Sequence, residues 1–273
     1  MYGSYGSRRV GLAAATLSLA ALLVALSWSQ FRGEDGEDRH IALNAARSIA
    51  TRIDGQFGSI EKLLDELSGA VSTDPNAMDA NDALLRRAKS EQSRAIANIF
   101  LLTLDGRNIG NAEGQHAGAS DRTYFQRALA SGSLIAGEPI RSRSNLGWVI
   151  PVARPVKSRS GEMRGVLVVA IYLEDFRKVV GPNEIPTDWV VRVFTENANE
   201  VTTVSNASVV TGGDSHRTGN VARQLRLKEG SEVVNIDGNT SRIVAFSRAQ
   251  RVPWMVSVGL PPEAGPVRIA KGL

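Results

Sequence analysis

Apolar positions along this chain follow different rhythms in different stretches. From Val10 to Trp28 the run VGLAAATLSLAALLVALSW carries no charged residue, and a helix of that length, rising about 1.5 Å per residue, just crosses a hydrocarbon layer about 30 Å thick. Farther on, Ile49, Ile53, Phe57, Ile60, Leu64, Leu67 and Val71 recur at steps of four and three, the stripe of an amphipathic helix. This spacing predicts one long helix from about Asp38 to Val71, stopped by Asp74-Pro75-Asn76. Gly55 and Gly58 each weaken its propensity by up to ~1 kcal/mol, so burial of the stripe must hold it. A second helix is predicted over Met78–Ser90, with Ala83, Leu84 and Ala88 apolar and Arg86, Arg87 and Lys89 solvated.

From Ala95 the rhythm shortens to β-rich runs broken by turn residues. Ile96–Leu104, the turn Asp105-Gly106-Arg107 and Asn108–Gly110 form a predicted hairpin. Tyr124-Phe125-Gln126-Arg127-Ala128-Leu129 make a compact helix with Asp121 as its expected N-cap. Strands are then expected at Leu134–Ile140, Gly147–Val156 and Met163–Leu173. The breaker from Gly181 to Pro186 marks a candidate domain boundary. Beyond it, Trp189–Thr195, Glu200–Ser205, Ser231–Ile236, Ser241–Ser247 and Trp254–Leu260 read as strands, with a hairpin turn at Asp237-Gly238-Asn239 and a helical turn between Gly219 and Arg226. The expected class is α+β, with a small antiparallel sheet and helical insertion occurring twice in 273 residues.

Charge gives the apolar tract an orientation. Arg8 and Arg9 precede it, while Glu34, Asp35, Glu37 and Asp38 follow it, so residues 1–9 are expected in the cytoplasm, 10–30 in the inner membrane and the bulk of the chain outside. The alternative is a cleaved signal peptide with Ala25 and Ser27 near the cut, although the apolar run is longer than most signal cores. Either reading exports the rest. With no cysteine, disulfides, thiolate metal sites and thiol catalysis are excluded. The formal charge of +4 comes from bases scattered among acids, an ordinary surface and not a nucleic-acid stripe. His40, His116 and His216 form no metal-binding pair at helical spacing. Asp214-Ser215-His216 are adjacent in sequence, which does not make a triad. No enzyme activity, metal or cofactor is expected.

In order along the chain, the run DRTYFQRALASGSLIAGEPIRSRSNLGWVIPVARPVKSRSGEMRGVLVVAIYLEDF from Asp121 to Phe176 and the closing PWMVSVGLP from Pro253 to Pro261 resemble a double Cache domain. This is the extracytoplasmic sensor of bacterial histidine kinases, diguanylate cyclases and chemoreceptors. The resemblance implies a long signalling helix (34–73), two PAS-like lobes, membrane-distal (74–182) and membrane-proximal (183–262), and a tail (263–273). It implies a small ligand in the distal lobe and a long helix that transmits a displacement, a two-state element biased by binding. Any output domain would belong to a longer receptor or to a separate partner protein. The competing function is a membrane-tethered assembly protein that docks a partner receptor without a small ligand.

In the amino-acid-binding subset of the family, an Arg followed by aromatics opens the helix, matching Arg122, Tyr124 and Phe125, with Ala128 at the small position. Arg can clamp a carboxylate through paired charge-assisted bonds while aromatic faces enclose the carbon skeleton. That subset also places an acid for the ligand's ammonium where this chain has Ala170. The resemblance therefore implies a carboxylate or other small polar ligand without an amine, held near Arg122, Tyr124, Phe125, Trp148, Arg154 and Tyr172. Arg122 could instead be a solvated residue at a helix start, and Tyr124 and Phe125 could be core. Arg141, Arg143 and Arg154 could form a solvated basic rim. For Trp148 and Tyr172, a slip of one residue in strand register exchanges pocket for exterior. The long helix's apolar stripe is available either to a second copy, making a homodimer, or to the lobes of its own chain.

Overall fold

The computed structural model describes residues 6–144, 146–181, 185–186, 189–205, 218–235, 240–260 and 263–264. The side chains of residues 6–35, 218–220, 235, 240–241 and 263–264 lie outside the description. Helix α1 (Gly6–Ser68) spans 63 residues, a rod of about 95 Å. Among the described residues no helix is long and apolar enough to cross a membrane. The anchor expected at 10–30 lies outside the residues whose side chains are described.

α1 begins far ahead of the expected Asp38 and ends three residues before the expected Val71. At its end the amides of Ala70 and Val71 both return to the Leu67 carbonyl, and Asp74 caps only a short 3₁₀ turn at Pro75–Ala77. α2 (Met78–Ser90) follows. Its buried Asn81 donates to the carbonyls of Ser72 and Ile109 at 2.8 and 2.9 Å and accepts from the Ser72 amide, which ties the helix to the first sheet.

The first lobe contains β1 (Ile96–Leu102), β2 (Asn108–Asn111), α3 (Thr123–Ser131), β3 (Ile135–Ala136), β4 (Ile140–Arg141), β5 (Trp148–Lys157), β6 (Met163–Tyr172) and α4 (Leu173–Val180). Its antiparallel sheet has the order β2-β1-β6-β5-β3, with β4 also on β5. The strand expected over Leu134–Ile140 is in fact two two-residue strands, because the chain bends between them where Gly137 bonds back to the Pro151 carbonyl. α4 was not anticipated: Leu173 opens a helix instead of ending a strand. Its last turn is capped from outside by Arg52 of α1, whose Nη2 donates to the Val180 carbonyl at 3.1 Å, and Gly181 at φ 80° lets the chain leave.

The second lobe contains β7 (Val190–Phe194), β8 (Glu200–Ser205), α5 (Thr218–Arg226), β9 (Glu229–Asn235), β10 (Thr240–Arg248), β11 (Met255–Gly259) and β12 (Glu263–Ala264). Its sheet order is β12-β10-β11-β7-β8, with β9 on β10. The hairpin turn expected at Asp237–Asn239 and the Asp214–His216 run lie outside the described residues.

α1 covers one face of both sheets. Ile49, Ile53, Phe57, Ile60, Leu64 and Leu67 are all buried there, in one core with Ile99, Leu101, Val152, Leu167 and Val169 of the first lobe and Val191, Val193, Ala245, Val256 and Val258 of the second. From Ile49 to Leu67 the stripe is therefore buried against the lobes of its own chain. Where the lobes meet, the rings of Phe57, Phe176 and Trp254 pack edge to face with centroids 5.0–6.4 Å apart. Gly58 has a use here: a Cβ on it would stand 3.0 Å from Arg251 Nε, so its absence lets Arg251 lie across the helix toward Glu61, at 3.0 Å.

Candidate functional site

The strands of the first lobe alternate. On β5, Ile150, Val152 and Val156 join the core under α1, while Val149 and Ala153 face the other way. On β6, Leu167, Val169 and Ile171 face α1, and Val166, Val168 and Ala170 face away. α3 packs on that second face through Tyr124, Phe125 and Ala128. Beside α3, the sheet and the segment after β4 enclose a cavity of about 50 Å³, room for a few waters or a very small ligand. Gly137 allows the close fit, since a Cβ there would stand 2.8 Å from Pro151 and 3.0 Å from Tyr124.

Phe100, Ile140, Leu146, Val149 and Ala170 supply apolar wall. The polar lining is rich in donors. Asn98 and Asn108 are buried, and each spends its carbonyl oxygen on a nearby amide, Ile99 at 2.8 Å and Gly110 at 3.1 Å. Their NH₂ groups are left as donors. Arg122 gives one N–H to the Arg141 carbonyl at 3.2 Å and keeps the rest of its fork. Arg143 donates to the Gly118 carbonyl and to Asp121, an arrangement that holds the Asp121 carboxyl below its usual range. Burial pushes the Tyr124 hydroxyl up to about 12, against the opposing pull of Arg122 and Arg143, so the phenol stays neutral and able to donate. No Asp or Glu lines the cavity among the described residues. Such a lining suits an acceptor-rich, negatively charged group and offers no carboxylate to an ammonium.

Of the residues expected here, Arg122 and Tyr124 line the cavity. Phe125 is buried beneath α3 against Val166 and Val168 and forms no wall. Tyr172 shares the cavity's sheet face but packs at its end beside Val149 and Ala170. Trp148 is 50 % exposed, and its ring lies under the guanidinium of Arg141, its cross-strand partner, at 5.6 Å. Arg154 is on the opposite face of the sheet, with Nη2 2.5 Å from Asp65 and Nη1 3.4 Å from Glu61 of α1. The cause is parity: counting by twos from Ile150 and Val152 carries residue 154 to the helix side. Asp121 does not cap α3; the N-cap position is Arg122, without a side-chain cap bond. Asn98 and Asn108 were not anticipated. An amide in the middle of the apolar run Ile96–Leu102 was the available signal, since a buried amide needs a partner. Among the described residues no cluster of three or more His, Asp or Glu could hold a metal.

No family model matches this sequence, and no curated protein does. Solved structures do match. The extracellular domain of rpHK1S-Z16, described as a histidine kinase, aligns over 92 % of this chain and 100 % of its own with a TM-score of 0.67 at 19 % identity. The ligand-binding domain of the Pseudomonas aeruginosa PAO1 amino acid chemoreceptor PctB, in complex with L-Arg, covers 87 % of this chain and 99 % of its own (TM-score 0.63, 14 % identity). The ligand-binding domain of the Campylobacter jejuni chemoreceptor Tlp3, in complex with L-valine, covers 85 % and 94 % (TM-score 0.61, 12 % identity). At these identities the likeness is one of fold: one long helix backing two antiparallel lobes, the double Cache arrangement.

Proposed function

We propose that this double Cache fold serves as the extracytoplasmic input domain of a bacterial signalling receptor, binding a small carboxylate or similar anion in the cavity of the first lobe. The observation that carries the reading is the lining: Asn98, Asn108, Arg122 and Tyr124 present donors, Arg143 stands beside them paired with Asp121, and no Asp or Glu lines the cavity itself among the described residues. A carboxylate between the Arg122 fork and the two amides would gain charge-assisted bonds of roughly 1.5–3 kcal/mol each. The chemoreceptor domains that share the fold are described with amino acids bound. With Ala170 at the ammonium position, this cavity suits an acid lacking an amine.

In this reading the helix at 10–30 is the membrane anchor, and α1 carries the signal because it touches both lobes. Glu61 takes part at that junction, pairing with Arg154 of the first lobe and Arg251 of the second. A ligand that shifts the first sheet would move these contacts, and the differential contact energy would set the bias between states. The output is assigned to a partner or to a further part of a longer receptor, and no catalytic role is assigned to these lobes. The test is calorimetric titration of the chain in detergent with short mono- and dicarboxylates, alongside the corresponding amino acids. Binding of an acid and not its amino analogue, lost in Arg122→Ala, is the expected result. Preference for the amino acid, or affinity unchanged in Arg122→Ala, would sink it.

A further inference from the structure

The second lobe repeats the plan of the first, and its sheet face away from α1 also carries unmatched positive charge. Arg192 on β7 stands directly across from Ser257 on β11. Arg242 comes from β10, on the other side of β11. Its side chain lies over Gly259, where a Cβ would stand 2.8 Å from Arg242 Cδ, and its Nη1 lies 3.4 Å from the Gly259 carbonyl. The middle strand therefore presents only a hydrogen and a hydroxymethyl between two guanidinium groups that approach from either side. Arg192 Nε is buried without a hydrogen-bond partner.

Ordinary structural arginines in such positions are paired. The described acids nearest this face form no ion pair with either arginine: Glu200 accepts from Thr203, the cross-strand neighbour of Arg192, at 2.7 Å, and Glu232 is held by Arg223 at 2.8 Å and Gln224 at 2.7 Å. Neither arginine has an ion-pair partner among the described residues. Partial burial, and after it the charge of Arg192, press the Arg242 pKa downward, as expected where two like charges share a half-buried surface. An arrangement of this kind is costly unless a negative group completes it.

We infer that the second lobe holds its own small-oxyanion site, in which Arg192 and Arg242 clamp a carboxylate or phosphate-like group over Ser257 and Gly259 of β11. The site is separate from the first-lobe cavity and does not depend on it. Two guanidinium groups brought to one sheet face on either side of a strand without bulk suit an anion with several acceptor oxygens.

The test uses the full chain in detergent carrying Arg122→Ala, so that the first-lobe cavity does not contribute. Melting temperature is measured in sodium phosphate and in sodium acetate, against sodium chloride at matched ionic strength. At least one oxyanion should raise it beyond the chloride control. Arg192→Met and Arg242→Met should each abolish that rise while melting no lower than their parent in chloride, because an uncompensated cation has gone. Gly259→Ala, which drives a methyl into Arg242 without changing charge, should weaken the rise even if a Met variant fails to fold. No rise beyond chloride with either anion, or a rise kept in all three variants, overturns the site. Because Arg122 is absent throughout, failure here leaves the first-lobe reading untouched.

Discussion

The two lobes share a strand order, β2-β1-β6-β5 in the first and β8-β7-β11-β10 in the second, and both turn a Val- and Ile-rich face to α1. Their opposite faces differ. In the first lobe α3 closes over a cavity ringed by the donors of Asn98, Asn108, Arg122 and Tyr124. In the second, Val221 and Leu225 of α5 pack on Phe194, Phe246 and Met255, and the positive charge gathers in the arginine pair beside β11. The face toward α1 needs only apolar volume at alternate positions, so many sequences can build it. Residues one step out of phase decide the chemistry. Topology therefore sets where a ligand can sit, and a handful of outward positions set which ligand.

The comparison can be broken most severely at the junction. Trp254 is fully buried between Phe57 and Phe176, so Trp254→Ala should cost about 3–5 kcal/mol, read as a lower midpoint in denaturant unfolding. If the lobes depend on each other through this cluster, probes placed in each should lose stability together. Next in size, Arg122→Ala should weaken carboxylate binding roughly 10- to 100-fold, the loss of one charge-assisted contact of ~1.5–3 kcal/mol, with little change in melting temperature without ligand. Titration calorimetry separates the two quantities.

A pH series sharpens the contrast. Tyr124 moves from its usual 10.0 to about 12 on folding. Above pH 10 the unfolded chain gives up this proton while the folded chain keeps it, so stability falls as pH rises from about 10 to about 12. Tyr124→Phe should remove that part of the fall and leave stability near neutral pH little altered, as measured by urea unfolding across the range. The smallest effect belongs to Arg154→Ala. Its pairs with Glu61 and Asp65 are partly exposed, so the loss should be about 1 kcal/mol or less and shrink in high salt, with ligand affinity unchanged. A large fall in affinity would mean that the helix-side contact is coupled to the cavity.

Long-period patterns were legible without coordinates. The stripe from Ile49 to Leu67 announced α1 and its buried face, and short apolar runs between Gly, Asp and Ser clusters announced most strands. Arg122 and Tyr124 were picked out through the resemblance to the double Cache family, and the structure brings both to the cavity wall. Other assignments turned on one-residue differences. The same strand presents Val149 to the cavity side and Arg154 to α1, and an apolar run such as Trp148–Lys157, buried on both faces, has no polar alternation to declare which is which. α4 was hidden because Leu173 follows directly on an apolar strand with no turn residue between them, and its last turn is completed by Arg52, 128 positions earlier.

What the sequence alone determined was most of the elements and the apolar stripe of one long amphipathic helix, because hydrophobic period is a local property of the chain; that the stripe covers both sheets was decided by the tertiary structure. What only the tertiary structure decided was which polar side chains share a space. The pairing of Arg154 with α1, the donors of Asn98 and Asn108 gathered beside Arg122, and the two arginines meeting across Gly259 all depend on strand register and on contacts between distant positions, which no local pattern encodes.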